Sequence, residues 1–332
     1  ARIYLKKVTR GLAIAILVFL IADLFIYRSV PAIRAIAAGK MGIGQVFKIE
    51  SFAGWLQPLM ATINYLALVW HATLLGIFIG ALFILIVGQY LRKLTGSQGF
   101  LSHLAGSALA LPHPFCSCCA APIGAALYRT GTSLGATLAF TVSAPMLNIT
   151  SLILAASLLP LKFALLRIIG GIFLGVLITY AVAILSSKWI VSGHQEKKSN
   201  KLSEYFSKVV NFYVNIFHFE NILGSQVIDS PSLLLSSWLK TAWHLGRIIV
   251  PVLFLGSLLT SVIMTAFSSP TNNIVGILLA SVTGTILMVP TWTEIPVAYA
   301  LLSQGLPGPA ATILLTLPAV SIPCLLILGG AV

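Results

Sequence analysis

Long apolar runs constrain this chain more than any other feature of its sequence. A membrane-spanning helix needs roughly 20 mostly apolar residues, and six runs approach or exceed that length: 11 to 27, 59 to 90, 133 to 159, 163 to 187, 233 to 266 and 307 to 331. Charged residues make up only 8% of the chain, against about 25% in an ordinary soluble domain. The sequence therefore predicts an all-α polytopic membrane protein. The first run has no small-residue cleavage site after it, so we interpret it as a retained helix.

Two further apolar stretches, 99 to 130 and 272 to 304, are interrupted in the middle. From each interruption onwards, Pro and Gly recur at matching spacings that one single-residue gap aligns. The first series is Pro122, Gly131, Gly135, Pro145 and Asn148, and the second is Pro296, Gly305, Gly308, Pro318 and Ser321. We predict hinge or structural roles for these prolines and for Gly131 and Gly305. Each half then has the order helix, broken element, helix, which is typical of secondary transporters.

These patterns predict five segments along the chain. Residues 1–57 form an N-terminal transmembrane helix followed by an interfacial segment that starts at Pro31. Residues 58–160 form repeat 1, and residues 161–187 form a connecting transmembrane helix. Residues 188–232 are a hydrophilic linker, and residues 233–332 form repeat 2.

Loop charges predict the orientation of the chain. The net charge of +13 comes from scattered Lys and Arg, which argues against a nucleic-acid partner, and such residues favour the cytoplasmic side of a membrane. We place the N-terminus and the linker in the cytoplasm, with both broken elements as re-entrant hairpins and the two repeats inverted. The remaining basic residues then fall on the outer side: Arg28, Arg34, Lys40, Lys48, Lys162 and Arg167.

The first interrupted stretch contains a cysteine cluster framed by prolines. Three of the four cysteines lie within four positions before Pro122: Cys116, Cys118 and Cys119. Prolines break a helix, and irregular backbone at membrane depth lines a cavity or is buried in protein. Because thiolates are soft ligands, we predict a metal- and substrate-binding site there, with His113 as a further ligand. Cysteine also packs as a small apolar residue, which is the alternative for the cluster and our interpretation of Cys324.

The second interrupted stretch carries a single acid. Glu294 lies between Trp292 and Pro296, and an ionisable residue inside a membrane is costly and usually functional. The repeat alignment sets Glu294 opposite Ala120, beside the cysteines. We predict that Glu294 and Trp292 belong to the substrate site, with Glu294 as proton or charge partner. A carboxylate that caps freed backbone donors is the alternative.

Asn148 and Ser321 occupy equivalent places, three residues after a proline in each repeat. We include both in the predicted substrate site. The alternative is that they only tie helices together, as polar residues do in membranes.

These motifs together resemble bacterial permeases of the ArsP-like type, which include exporters of trivalent organoarsenicals and proteins proposed to export heavy metals. The resemblance covers about 59 to 331. It rests on Phe115-Cys116-Ser117-Cys118 before Pro122, Gly131 with Gly135 and Ala139-Phe140, Ala144-Pro145 with Asn148, and Glu294 to Pro296 with Gly305 and Pro318. It implies an inner-membrane permease of two repeats that moves a thiophilic species out of the cytoplasm. Cys119 stands where many relatives carry a small residue, and the linker has no Cys/His-rich run.

The sequence therefore predicts a non-enzymatic efflux permease for a metalloid such as organoarsenic, or for a soft metal ion. Its partners would be membrane lipid, the substrate and protons, with no cofactor, and a homo-oligomer is compatible with the pattern. Two alternatives stay open. One is a membrane thiol-disulfide carrier that uses the Cys116/Cys119 C-x-x-C spacing. The other is a permease for an anion or small organic solute, in which the cysteines only pack.

Overall fold

The structure, a computed structural model, describes residues 2–37, 46–95, 99–113, 115–129, 131–192, 230–266, 272–286, 294–319 and 321–329. Trp292 and most of the predicted linker lie outside these ranges, and the Cys118 side chain is likewise outside the described part. The helices are α1 (Arg2–Ala37), α2 (Gln57–Thr95), α3 (Phe100–Ala110), α4 (Ser117–Arg129), α5 (Leu134–Leu147), α6 (Ile149–Leu158), α7 (Leu161–Ile172), α8 (Thr179–Ser192), α9 (Pro231–Ala266), α10 (Ile274–Ile286), α11 (Glu294–Ser303), α12 (Pro307–Ala319) and α13 (Ile322–Gly329).

Four helical stretches within the described ranges are long and apolar enough to cross a membrane: Gln57–Ile86, Leu134–Leu158, Leu161–Ser186 and Pro231–Leu258. They differ sharply in burial. Of the most apolar 18 residues of each, 78% are buried inside the protein in Leu134–Leu158, against 28% in Leu161–Ser186. The chain is thus a polytopic helical membrane protein in which α5 is surrounded by protein, whereas α6 is partly exposed and the connecting span lies at the periphery.

The chain turns back on itself between α3 and α4. Ser102, near the start of α3, hydrogen-bonds Ser133, which immediately precedes α5. Ser107, further along α3, hydrogen-bonds Ser143, further along α5. Helices α3 and α5 therefore run in the same direction. Helix α4 returns to α5 through a short turn and runs against it. We call α3 and α4 the first hairpin, and α5 with α6 the first broken helix.

The same course recurs between α10 and α12. Asn272 Oδ1 accepts a hydrogen bond from Gly308 N at the start of α12, and Gly284 near the end of α10 lies against Thr316, so α10 and α12 run in the same direction. Helix α11 returns against α12. We call α10 and α11 the second hairpin, and α12 with α13 the second broken helix.

Each hairpin leads into its broken helix through a glycine turn. Gly131 has φ 99° and Gly305 has φ 76°, in the left-handed region that side chains with a Cβ rarely adopt. At the second turn Gly305 N donates to Leu302 O at 3.0 Å and Leu306 N donates to Leu301 O at 2.9 Å. The first turn has the same pair of bonds, which is the Schellman arrangement that satisfies the last carbonyls of a helix.

The two broken helices have their breaks near prolines. Pro145 lies two residues before the end of α5, and Asn148 separates α5 from α6. Pro318 lies one residue before the end of α12, and Ser321 precedes α13. A proline inside a helix removes one backbone donor, which explains why both helices are interrupted there.

The two halves pack crosswise. Helix α4 of the first hairpin contacts α13, the second part of the second broken helix, and α11 of the second hairpin contacts α6, the second part of the first. Helices α5 and α12 contact each other, and the long helices α2 and α9 pair along their length. Trp238 Nε1 donates to Phe78 O at 2.8 Å in that pair.

Helix α1 extends beyond the first apolar run. It continues through Pro31 to Ala37, so the predicted interfacial segment begins within a helix. After α1, the described chain resumes at Val46, where Asn64 Oδ1 accepts from Val46 N and Phe47 N at 2.8 Å each. Asn64 therefore anchors this segment to α2.

Candidate substrate site

The tip of the first hairpin meets the break of the first broken helix. Leu111 O accepts a hydrogen bond from Ile149 N at 3.2 Å, which places the end of α3 beside the start of α6. The next helix begins at once, because Cys116 O accepts from Cys119 N at 3.0 Å and from Ala120 N at 2.8 Å. Cys116 is therefore the residue at which α4 starts.

Two sulfur atoms lie together at this tip. Cys116 Sγ is 3.3 Å from Cys119 Sγ, and Cys119 is buried against α2, where a Cβ at Gly76 would lie 3.4 Å from its sulfur. Cys116 is also disulfide-bonded, but not to Cys119. The spacing suits either a two-thiol clamp on a soft ligand after reduction or exchange between sulfur atoms.

His113, predicted as a further ligand, lies against a different part of α2. Its ring stacks on Phe115 (centroids 5.2 Å apart) and meets Phe83 edge-on (4.6 Å), and Phe83 is seven residues, or about 10 Å of helix, beyond Gly76. Its Nδ1 lies 2.8 Å from Leu109 O, whereas the buried Nε2 has no hydrogen-bond partner among the described residues. Among the side chains that the structure describes, no three of His, Cys, Asp and Glu come together as a metal site.

Glu294 is the first residue of α11 at the tip of the second hairpin. It is 1% exposed, and its Oε1 lies 2.6 Å from Nη2 of Arg167. A carboxylate at a helix N-terminus is also stabilised by the free backbone N–H groups there. The acid expected from sequence is therefore buried and paired with a base 127 residues away.

Arg167 corrects the predicted charge distribution. We expected it in a loop on the outer side, but it lies in the middle of α7 and is fully buried. Its Nη1 donates to Leu314 O at 3.3 Å, and its Nη2 donates to Pro145 O at 3.2 Å. The signal was present, because an arginine inside an apolar run is a functional candidate by default, but nearby Lys162 made that end of the run resemble a loop.

Asn148 and Ser321 bond within their own breaks. Asn148 Oδ1 accepts from Ser151 N at 2.8 Å and its Nδ2 donates to Ala144 O at 2.9 Å, so the side chain joins α5 to α6. Ser321 Oγ donates to Cys324 Sγ at 3.0 Å. Both residues are buried, and in both cases these bonds are local to the break itself.

Cys324 does more than pack. Its Sγ donates to Ser117 O at 3.1 Å and so joins α13 to the start of α4. Beside this contact lies an apolar cavity of about 190 Å³ between α4, α5, α13 and the connecting span. Its lining includes Thr141, Leu174, Val182 and Leu328. The wall opposite α4 contains a π-helical segment, Phe173–Ile178, and such segments are frequent at functional sites.

Comparison with known proteins places the chain among membrane permeases. UPF0718 protein YraQ of Escherichia coli is 28% identical over 303 residues, which cover 89% of this chain and 80% of that protein. UPF0718 protein MJ0584 of Methanocaldococcus jannaschii is 25% identical over 275 residues, 67% of this chain and 72% of that protein. No solved structure matches. Residues 55–331 match the ArsP_1 family, described as a predicted permease, and the chain therefore belongs to this family.

Proposed function

We propose that this permease is a secondary transporter that exports a thiophilic substrate across the bacterial inner membrane, with its N-terminus in the cytoplasm. The substrate would be a trivalent organoarsenical or other metalloid, or a soft metal ion. The observation that carries the proposal is the sulfur pair at a hairpin tip, with Cys116 and Cys119 Sγ atoms 3.3 Å apart in a helix break. Soft thiolate ligands at such a break select soft substrates.

Inverted repeats are part of the proposal, and the fold supports them. Both halves show a long helix, a hairpin and a broken helix, and both glycines with positive φ fall at positions that the sequence alignment paired. The crosswise contacts of α4 with α13 and of α11 with α6 are those expected of two units related by a pseudo-two-fold axis. Alternating access would then rock one unit against the other.

A bipartite site follows from where the two tips lie. The first tip contacts the break of the first broken helix at Ile149. The second tip reaches the same break through Arg167, which bonds both Glu294 and Pro145 O. Pro145 and Ile149 lie on either side of Asn148, the residue that separates α5 from α6. We therefore propose that the thiols bind the substrate while Glu294 supplies the proton or charge, and that Cys118 and Trp292, whose side chains the structure does not describe, line the same site.

A flux panel on purified, reduced protein tests this proposal. Proteoliposomes are loaded separately with arsenite, methylarsenite, Cu(I) or Zn(II), and release is followed for the wild type and for Cys116→Ser. We expect thiol-dependent release of at least one substrate and a loss of at least tenfold in Cys116→Ser. Right-side-out and inverted vesicles compared in parallel give the direction of transport.

Cys324→Ser is the matched control, because it removes a buried thiol outside the proposed clamp and can keep hydrogen bonds to Ser117 and Ser321. It should transport as the wild type does. Equal flux in Cys116→Ser and wild type would contradict the thiophilic site, and retained transport of an organic or anionic solute in the Cys116/Cys118/Cys119 triple serine variant would favour a solute permease instead.

A thiol-disulfide carrier is the second candidate function. It is favoured by the short Cys116 to Cys119 sulfur distance and by the place of Cys116 at the start of α4, because a helix N-terminus stabilises a thiolate. Redox titration with alkylation and mass spectrometry decides the matter. A 116/119 disulfide that forms and breaks reversibly at one defined potential, without substrate flux, would establish the carrier.

A further inference from the structure

One charged side chain of the connecting span, that of Arg167, is buried inside the protein. Its neighbours on α7 face outward, with Leu165 45% exposed and Ile169 64% exposed. Arg167, between them in sequence, has no exposed surface. A charge inside a membrane protein is costly and is retained where it performs a function, so the partners of Arg167 indicate what that function is.

Arg167 replaces backbone donors that both broken helices lack. In a regular helix Leu314 O would accept from the backbone N of residue 318, but that residue is a proline and has no N–H. Pro145 O would likewise accept from Ile149 N, which instead donates to Leu111 O. The Arg167 guanidinium donates to both carbonyls, and its planar fork of five donors can serve several acceptors at once.

Glu294 is the one charged partner that the described structure gives to Arg167. The helices against α11 are α12 and α6, together with α7 through Arg167. Helices α5, α6 and α12 carry no titratable side chain, α11 adds only half-buried Tyr299, and α7 adds only Lys162, which is exposed. Within the described ranges, the charge state of this junction therefore depends on Glu294 and Arg167 alone.

The junction also joins the two halves of the protein. Pro145 belongs to the first broken helix, whereas Leu314 and Glu294 belong to the second half. Any rocking of one half against the other changes at least one of these distances. Because one guanidinium makes all of these contacts, a movement of that group affects every one of them.

From this arrangement we infer that Arg167 is the coupling residue of the permease, and that a proton on Glu294 releases it. The inference rests on the proposed function and deepens it by assigning protons as the coupling ion and Arg167 as a positioning residue. A proton from one aqueous side binds a carboxylate oxygen of Glu294 and neutralises it. The ionic bond to Arg167 is then lost, the two halves separate at the junction, and the proton leaves to the other side when the pair forms again.

Two transport modes in the same proteoliposomes test the inference. Counterflow, with equal substrate on both sides, exchanges substrate without net proton movement. Uptake driven by a pH gradient requires net proton movement. We expect Glu294→Gln to reduce gradient-driven uptake at least tenfold more than it reduces counterflow, because only the former needs the proton on Glu294. Gradient-driven uptake at the wild-type rate in Glu294→Gln would overturn the inference.

Arg167 is tested with paired variants, because Arg167→Gln leaves a buried carboxylate unpaired and can fail to fold. The double variant Arg167→Gln/Glu294→Gln removes both charges. It should fold, recover counterflow relative to Arg167→Gln alone, and stay uncoupled. Lys162→Gln, which removes an exposed cation from the same helix, is the control and should behave as wild type in both modes. Coupled transport in the double variant would contradict the inference.

A substrate-free measurement separates this inference from the proposed function. Hydrogen–deuterium exchange, corrected for the intrinsic effect of pH, is followed in peptides from α6 and α12. Exchange in the wild type should rise on acidification, and exchange in Glu294→Gln should be high and insensitive to pH. That result with no flux of any thiophilic substrate would refute the substrate proposal and leave the proton switch standing. Equal pH dependence in wild type and Glu294→Gln would refute the switch.

Discussion

The two hairpins follow the same backbone course but carry opposite chemistry at their tips. The first has a sulfur pair, Cys116 and Cys119, held by short-range contacts within its own helix start and by α2. The second begins with Glu294, whose charge is countered by Arg167 from a helix outside the hairpin. A soft, uncharged tip can be assembled locally, whereas a buried carboxylate must recruit a distant cation. The second tip should therefore depend on a distant cation for its stability, whereas the first should not.

Breaking the ion pair gives the largest expected effect. Arg167→Met leaves Glu294 buried without its cation, which costs on the order of 3–5 kcal/mol of stability. The free energy of unfolding in detergent, measured by denaturant titration, should fall by that amount. Lys162→Met should change it little, because Lys162 is exposed. If Arg167→Met were as stable as the control, the stability of the second tip would not depend on Arg167.

Close helix contacts give a second, smaller difference between the hairpins. A Cβ at Gly106 would lie 2.3 Å from the backbone oxygen of Ala136, whereas at Gly284 it would first meet the Thr316 hydroxyl at 2.3 Å. A backbone cannot move aside as a side chain can, so Gly106→Ala should cost about 1–3 kcal/mol and Gly284→Ala less. Melting temperatures of the two variants check the order, with Gly11→Ala, which meets nothing within 4 Å, as the control. The reverse order would show that the hairpins are packed differently from this description.

The glycine turns should respond alike in both hairpins. Gly305 has open space around it, so Gly305→Ala tests its positive φ alone and should cost about 1–2 kcal/mol. Gly305→Asn should cost less, because Asn tolerates the left-handed region. Thermal unfolding of both variants gives the comparison. Equal stability of Gly305→Ala and wild type would mean that the turn does not need the left-handed conformation.

The smallest stability effect is expected at the sulfur tip. In reduced protein, Cys116→Ser should leave the melting temperature unchanged, because no disulfide, charge or close packing contact is lost, while binding of a thiophilic metal ion should disappear. Because Cys116 is disulfide-bonded, wild-type binding should also require a thiol reductant. Isothermal titration with and without the reductant measures this. Binding that is unchanged by both the reductant and the substitution would show that the cysteines are not part of the site.

Local patterns in the sequence predicted much of the fold, because prolines and glycines act on their own backbone. The interrupted stretches and the structural roles of Gly131 and Gly305 follow from missing donors and from positive φ. The breaks at Asn148 and Ser321 were not predicted, since we expected 133 to 159 and 307 to 331 to be continuous helices. The membrane-spanning character follows from composition in the same way. Structural features that depend only on neighbouring residues could therefore be predicted from the sequence.

Partners distant in sequence could not be predicted in this way. Glu294 was recognised as unusual, but nothing near it indicates that Arg167 is its partner, and Cys324 lies 207 residues from the Ser117 carbonyl to which it donates. His113 stands close to the cysteines in sequence, yet its ring lies against a different part of α2. These contacts depend on how helices pack, which a pattern along one chain does not encode.

The burial of α5 has a consequence for biosynthesis. Most of its residues are buried, and part of its cover comes from the connecting span, where Gly175 lies against Ser143. Chains emerge from the ribosome N-terminus first, so α5 is made before the residues that cover it. The first half is therefore inserted with one face of α5 still uncovered. Its packing is completed only when the connecting span and the second broken helix have been inserted.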